Sequence, residues 1–339
     1  MSANHLRRIH LTRSRRAGQA ASRSSRDAAP AFGIFTALPE EFAAMRSFIG
    51  QPRLANVPGD RADYVIGTLP SAHRGRAHQV VLRLLGETGN DAAACACTNL
   101  LRSFWSVRCL LMAGIAAGVP DPARPERHVR LGDIVVARRG IAEYDSVREH
   151  DDGPVSRRAF PPPSPMLERR ARLLQAGELA GDRPWEDLLA AQVRERPGFC
   201  RPPESADIVY SSVSPDQPVP HPDVALSGHR PGQPKVHSGL IASGDRSLRS
   251  ARKRDEIAGA SGALAIEMET KGIGNASFSE GAEWFTVRGI SDYGDRHVTE
   301  TWRRYASMAA AAYVRALLAV TPPWQCQAGR VTGAGGRSI

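Results

Sequence analysis

The stretch AIEMETKGIGNASFSEGAEWFTVRGISD, residues 265–292, decides how this chain is read. It opens with a short apolar run that ends in two carboxylates, Glu267 and Glu269. An amphipathic helix pattern follows from Thr270 to about Glu280, and a second apolar run, Trp284 to Ile290, delivers Asp292. That is a strand–helix–strand unit with its acids at the two strand ends. In open α/β sheets ligands bind at the carboxyl ends of strands, so three acids bunched there mark a candidate site. Isolated acids at such places are often only solvated strand ends.

Working outward, the same alternation recurs. Phe32 to Leu38 reads as a buried strand, and Pro39 opens a helix with Glu40 and Glu41 in its first turn. Proline at the first helical position and acids in the first turn are ordinary helix-start signals. Either glutamate can also point into a site above the strand end. Asp63–Leu69 and His78–Leu85 read as strands, Asn90–Ser103 as an Ala-rich helix, and Arg108–Ala113 as a buried strand that breaks at GIAAGV, Gly114 to Val119. Asp133–Arg138, Ile141–Asp145 and His237–Ala242 follow as strands, with helices near Leu248–Ile257 and Glu300–Ala319. The expected architecture is α/β, one domain over residues 31–320 with a mixed central β-sheet flanked by helices.

Residues 146–236 differ in character. Prolines cluster at 161–165 and recur to 234 around two predicted helices, Pro165–Gln175 and Pro184–Arg196. This reads as an insertion packed on the domain edge within reach of the site; a long irregular surface excursion fits the same composition.

The formal net charge is +10 over 339 residues, but it is not spread evenly. Residues 1–30 carry a net +6, from seven arginines and Asp27, and residues 325–339 add Arg330 and Arg337. The remainder is close to neutral, so nucleic acid is not expected as the main partner. The Arg/Ser/Ala-rich first thirty residues and residues 321–339 read as disordered tails; a transit peptide or an acidic-partner arm has similar composition. No apolar run approaches the roughly 18–20 residues needed to cross a bilayer, and no signal-peptide core is visible. Five cysteines, Cys95, Cys97, Cys109, Cys200 and Cys326, make no metal-ligand spacing; their odd number suits a reducing, cytoplasmic compartment. No GxGxxG, Walker or HExxH motif occurs, and neither cofactor nor metal is expected.

Five fragments, GIFTALPEEF, LLMAGIAAGV followed by RLGDIVVA, GLIASGD, IEMET and RGISDYGD, stand in the order found in the nucleoside phosphorylase superfamily, which the chain resembles over about residues 32–319. Within it the chain looks most like the methylthioadenosine/S-adenosylhomocysteine nucleosidase branch. It looks closer still to the phosphorylase-like domains joined to ankyrin or NACHT modules in fungi and to bacterial defence effectors. These share the Pro-rich insertion, the RPP segment near Arg201, and the ending with Asp292, His297 and Tyr305-Ala306.

The resemblance implies roles. Glu41 would orient the attacking water, Glu269 would grip the ribose hydroxyls, and Asp292 would protonate the leaving purine. Ile266, Glu267, Met268, Ser291, Ile115, Ala116 and Gly118 would line the nucleoside site. The implied partner is a small-molecule purine nucleoside or nucleotide, and the implied assembly is a homodimer. The chemistry needs such groups, because cleaving an N-ribosidic bond passes through an oxocarbenium-like sugar while the purine leaves as a poor anion. A positioned proton donor contributes roughly 10²–10⁴-fold. A carboxylate on the ribose hydroxyls orients the sugar and stabilises its growing positive charge. Departures from the pattern are informative. Phosphorylases hold phosphate with an arginine and a serine near GIAAGV and with an arginine after the first strand; here those places read Met112, Ile115 and the Glu40-Glu41 pair, which favours hydrolysis. Where nucleosidases stack a phenylalanine on the base, Ser247 stands beside Arg246.

Overall fold

In a computed structural model the described residues are 29–145, 147–150, 153–156 and 160–324. Residues 1–28 and 325–339 of the tails read from the composition, and Arg157 and Arg158 of the insertion, lie outside them. Within the C-terminal tail Thr321 is buried and Trp324 meets the Phe32 ring edge-on at 6.2 Å, so residues 321–324 belong to the fold.

The first described element is β1 (Phe32–Thr36), all of it buried, and it turns through Leu38 into α1 (Pro39–Phe48). Strands β2 (Gly50–Ala55), β3 (Tyr64–Leu69) and β4 (His78–Leu84) form an antiparallel meander that joins β1 through a parallel β1–β4 pair. The β2 strand has no apolar alternation and is mostly exposed, which is why the sequence gives no sign of it. Helix α2 (Asn90–Ser103) leads to β5 (Cys109–Gly118), ten residues long.

The expected break of this strand at Gly114 does not occur. β5 runs on to Gly118 because its second half finds two sets of backbone partners. One is β15 (Glu283–Asp292), parallel to it; the other is β14 (Ala265–Glu267), which meets Ala117 and Gly118 antiparallel. Short strands β6 (Ile134–Val136), β7 (Ile141–Glu143), β12 (Val236–Ser238) and β13 (Ile241–Ser243) complete the sheet. Its main order is β12-β6-β15-β5-β1-β4-β3-β2, with β7, β13 and β14 branching from β5. The stretch read as one strand over His237–Ala242 is thus two, β12 and β13, that pair with different neighbours. The sheet is mixed, as its alternating pattern predicts.

Between β7 and β12 stand two small hairpins, β8 (Val147–His150) with β9 (Gly153–Ser156) and β10 (Val209–Tyr210) with β11 (Pro218–Val219). With them come helices α3 (Pro165–Leu179), α4 (Pro184–Glu195) and the single turn α5 (Val224–Ser227). Helices α3 and α4 pack on α8 (Arg303–Ala319), where Trp185 is buried against Tyr313 at 5.4 Å. Helices α6 (Ala251–Ser261) and α7 (Thr270–Ser279) lie on either side of β14 in the chain.

The sheet core is apolar on both faces, with Trp284, Phe285, Val287 and Ile290 of β15 all buried; each such side chain contributes about 1.5–3 kcal/mol. Helix α8 is almost entirely buried because its middle is a run of alanines that good helix propensity and small volume let approach the sheet closely. The closest approach is at Gly289, where an added Cβ would lie 2.0 Å from the Ala306 carbonyl oxygen. Backbone cannot yield as a flexible side chain can. Gly289→Ala is therefore expected to destabilise the protein by about 1–3 kcal/mol, read from the denaturant midpoint. An unchanged midpoint would mean that α8 slides freely over β15.

Candidate active site

The ends of β1, β5, β14 and β15 converge on a cleft of about 280 Å³. It is lined by Glu41, Ile115, Ala116, Ile266, Glu267, Met268, Glu269, Ser291 and Asp292, with Thr88, Val298 and the segment Arg246 to Arg249 around them. Of the residues singled out for the site, Glu40, which is half-buried, and Gly118 are absent from the lining. A Cβ there would meet Ile290 and Val129 at 2.6 and 3.2 Å, so this glycine serves packing within the sheet, not the cleft.

Glu41 is set by local sequence. Leu38 caps α1, Pro39 occupies its first position, and Glu41 at the third reaches back to the free N–H groups of the cap. Its Oε2 accepts from the N–H of Ala37 and Leu38 at 2.6 and 3.0 Å. Its Oε1 accepts from the Ile115 N–H at 2.8 Å, which pins it across to β5. Burial pushes the Glu41 carboxyl above the usual glutamate range, against the Arg288 guanidinium and the three backbone donors.

Arg288 is the buried cation among these acids to which the sequence reading gives no part. It sits in β15 with no exposure, one guanidinium nitrogen bonded to the Ile115 carbonyl at 3.2 Å. The other donates to Glu267, to Glu269 at 3.2 Å and to the Thr270 hydroxyl at 3.3 Å. Burial opposes its charge, but Glu267, Glu269 and Glu41 more than offset that and hold it firmly protonated. The signal was present: a lone arginine inside the apolar run Trp284–Ile290 must find a buried anion.

Gly114 makes the room. A Cβ on it would stand 2.6 Å from both an Arg288 nitrogen and Glu41 Oε1. This glycine admits protein side chains rather than a ligand.

Glu267 is engaged inside the protein: besides Arg288, Oε2 accepts from the Glu269 N–H at 3.0 Å and from the N–H and hydroxyl of Thr270 at 2.9 and 2.8 Å. It fixes the start of α7 and leaves Glu269 as the acid turned to the cleft. Glu269 accepts from the Gly89 N–H at 3.2 Å as well as from Arg288. Burial raises its carboxyl pKa; Arg288 lowers it, and the charges of Glu267 and Glu41 add to the rise.

Asp292 follows a register shift in β15 between Ile290 and Asp292, and such a bulge re-aims a side chain. Its Oδ2 accepts from the Ser291 hydroxyl at 2.8 Å and its Oδ1 from the Gly294 N–H at 2.8 Å. The aspartate therefore shapes the turn at Gly294, whose φ is 59°, and lines the cleft as well. His297, the nearest other proton donor in the chain, is held away: it stacks on Tyr210 at 3.7 Å and bonds the Pro215 carbonyl at 2.9 Å. Among the described residues the 146–236 insertion contributes nothing to the cleft, and Arg172 pairs with Glu168 on the exposed face of α3. Arginines do reach the cleft from elsewhere, as Arg246, Arg249 and Arg303. Arg303 pairs with Glu300; Arg246 and Arg249 have no carboxylate partner among the described residues.

With this geometry in view, residues 31–319 match the model of the phosphorylase superfamily. A nucleotide-binding leucine-rich repeat (NLR)-like protein of Hyaloscypha variabilis is 28% identical over 86% of this chain, which spans only 29% of that longer relative. A 5′-methylthioadenosine/S-adenosylhomocysteine nucleosidase of Mycobacterium bovis is 26% identical over 86% of this chain and 96% of its own length. Among solved structures, S-adenosylhomocysteine nucleosidase from Streptococcus pyogenes in complex with 5-methylthiotubericidin superposes with a TM-score of 0.58 at 18% identity. That match covers 86% of this chain and 97% of the other, and it shows the same mixed α/β fold.

Replacing Arg288 with Met leaves buried carboxylates without their cation, which typically costs about 3–5 kcal/mol. The variant is expected to unfold at clearly lower denaturant concentration than the parent. Equal midpoints would mean that the ion cluster gives no net stability.

Proposed function

Because the chain belongs to the phosphorylase superfamily, we propose that it is an N-ribosyl hydrolase that releases adenine from an adenine nucleoside or nucleotide. The observation that carries this is the gathering of Glu41, Glu269 and Asp292 on one cleft, where the guanidinium that acts on Glu41 is already engaged. That guanidinium is Arg288, and it is neutralised by Glu267 and Glu269. A phosphate ion brought there would meet the Glu41 carboxylate and the apolar Ile115 instead of a donor set. Water is the co-substrate that suits the place.

In the mechanism, Glu41 positions a water under the anomeric carbon and accepts its proton. Its raised pKa makes it a better base than an ordinary glutamate, and its three backbone bonds fix its direction. Glu269 accepts the ribose hydroxyls, and that bond strengthens as the ring turns cationic. Asp292, aligned by Ser291 and Gly294, hands a proton to the purine as the bond to ribose lengthens. Ile266, Met268, Ile115 and Ala116 supply the apolar walls.

Arg246 and Arg249 favour the nucleotide over the thio-nucleoside. Both flank the cleft without a carboxylate partner among the described residues, where a methylthio group needs apolar surface and a phosphate needs guanidinium. The Streptococcus structure holds a methylthio analogue, so both substrate types belong in the assay.

The test is incubation with methylthioadenosine, adenosine, AMP and ATP, with free adenine and the sugar product followed by chromatography with and without phosphate. Free ribose or its 5′-substituted form is the expected sugar in every buffer. Ribose 1-phosphate would make the protein a phosphorylase. Asp292→Asn should lower turnover by roughly 10²–10⁴-fold while substrate still binds. Glu269→Gln should lower affinity together with rate, and less so on a 2′-deoxy substrate. Adenine release by Asp292→Asn within a few-fold of the parent would remove the general-acid role. No adenine from any of the four, with binding intact, would leave a nucleoside-sensing module instead.

Arg246→Ala is expected to raise KM for AMP or ATP by roughly 10-fold, the scale of one lost charge-assisted hydrogen bond, and to leave methylthioadenosine unaffected. Equal effects on both substrates would place the arginine away from the phosphate.

A further inference from the structure

Behind the end of β15, on the side away from the cleft, lies a second set of buried polar side chains that the proposed reaction does not use. Asp133 precedes β6, His237 stands in β12, and His229 follows α5 in the insertion. The Nε2 atoms of His229 and His237 lie 2.8 and 2.9 Å from a single oxygen, Asp133 Oδ2. That oxygen also accepts the Arg130 N–H at 2.8 Å, while Oδ1 accepts the Lys235 N–H at 2.9 Å. A carboxylate oxygen offers two lone pairs, and Oδ2 has three nitrogen atoms within 2.9 Å of it.

A cation resolves this crowding. The two imidazole nitrogens and the carboxylate oxygen lie within 4.8 Å of one another. Two histidines and one aspartate are a familiar ligand set for zinc, at about 2.0–2.1 Å from nitrogen and about 2.0–2.2 Å from oxygen. With the imidazoles giving lone pairs to a metal rather than protons to Asp133, Oδ2 keeps one backbone donor and one metal bond. Imidazole selects a transition ion over magnesium or calcium, which prefer oxygen alone. An outer shell is also in place: His229 Nδ1 is 2.9 Å from the Ser227 hydroxyl, and Lys235 holds the far oxygen of Asp133.

We propose that Asp133, His229 and His237 bind a zinc-type divalent cation that fastens the insertion to the sheet behind the strand of Asp292. Asp133 stands 96 and 104 positions before the two histidines, and its link to the strand is short: the Asp133 carbonyl accepts the Ile290 N–H at 2.8 Å, two residues before Asp292. None of the three ligands lines the cleft, so the metal would act on the fold and not on the substrate.

The test uses the full chain. Protein purified without chelators is analysed for first-row metals by inductively coupled plasma mass spectrometry. Stripped protein is then titrated with zinc during thermal unfolding, and with cobalt(II) while its visible absorption is recorded. Stoichiometric uptake is expected, with d–d bands from cobalt and a Tm rise of roughly 5–10 °C when free zinc is about 100-fold above Kd. His229→Gln and His237→Gln keep an N–H able to bond Asp133 but remove the imidazole, so both should lose the zinc-dependent rise. Stripped parent that takes up neither metal and unfolds at one temperature throughout would overturn the proposal, leaving a hydrogen-bonded triad. Undiminished zinc binding by both variants would overturn it equally. The parent titration decides the matter even where a variant does not fold.

Discussion

One guanidinium inside the sheet organises the end of this molecule where the acids collect. Arg288 has no exposure, and an unpaired charge in that place would be untenable. It is tolerated because Glu267 and Glu269 bond it directly and Glu41 stands close enough to stabilise its charge. The dependence runs both ways: three buried carboxylates on three different elements would repel one another without the cation among them. The strand end, the helix start and the first-strand turn are thereby held to one point. Such a cluster contributes position more than net stability, since desolvation opposes much of the attraction.

Space for the cluster had to be provided as well as charge. Gly114 leaves the volume that an Arg288 nitrogen and a Glu41 oxygen take up. Asn90, at the start of α2, bonds the Gly272 N–H in α7 at 2.9 Å and is itself held by Asp245. That brings the Gly89 N–H to Glu269. The segment carrying Arg246 to Arg249 is tied to the same acids through Asp245, so the cleft wall and Glu269 share one network.

Much of this was legible in the chain. The strand–helix–strand of residues 265–292 and the proline-led helix after β1 gave the α/β class and the acids, because period and capping are local signals. Short β2, with neither burial nor alternation, gave no signal. The continuation of β5 past Gly114 was missed because glycines read as a break when the strand's partners, β14 and β15, are unknown. Arg288 was missed because it lies within an apolar run, though its oddness there was the clue. The Asp133–His229–His237 group was beyond sequence reasoning: Asp133 lies 96 and 104 positions from the two histidines, and no motif spacing links it to them. The helices of the insertion, α3 and α4, take their place on α8, and among the described residues none of the insertion lines the cleft.

What fixes Asp292 is therefore not its own side chain alone. On one edge β15 pairs with β5 up to Ala117, beyond the bulge at Ser291. On the other, Ile290 exchanges two backbone bonds with the segment before β6, its carbonyl accepting from Gly132 and its N–H bonding Asp133, each at 2.8 Å. One face of the strand lies against α8 at Gly289, too close for a Cβ. A residue bounded by a bulge, two paired edges and a helix has little freedom to move, so its carboxylate can be aimed at a purine nitrogen without an ion pair of its own. Arg288, four residues earlier, meets the opposite requirement: it needs its anions to be buried at all. The strand thus separates the two tasks. Its interior holds the charge that gathers the acids, and its bulged end presents an aspartate that only the backbone and two small donors restrain.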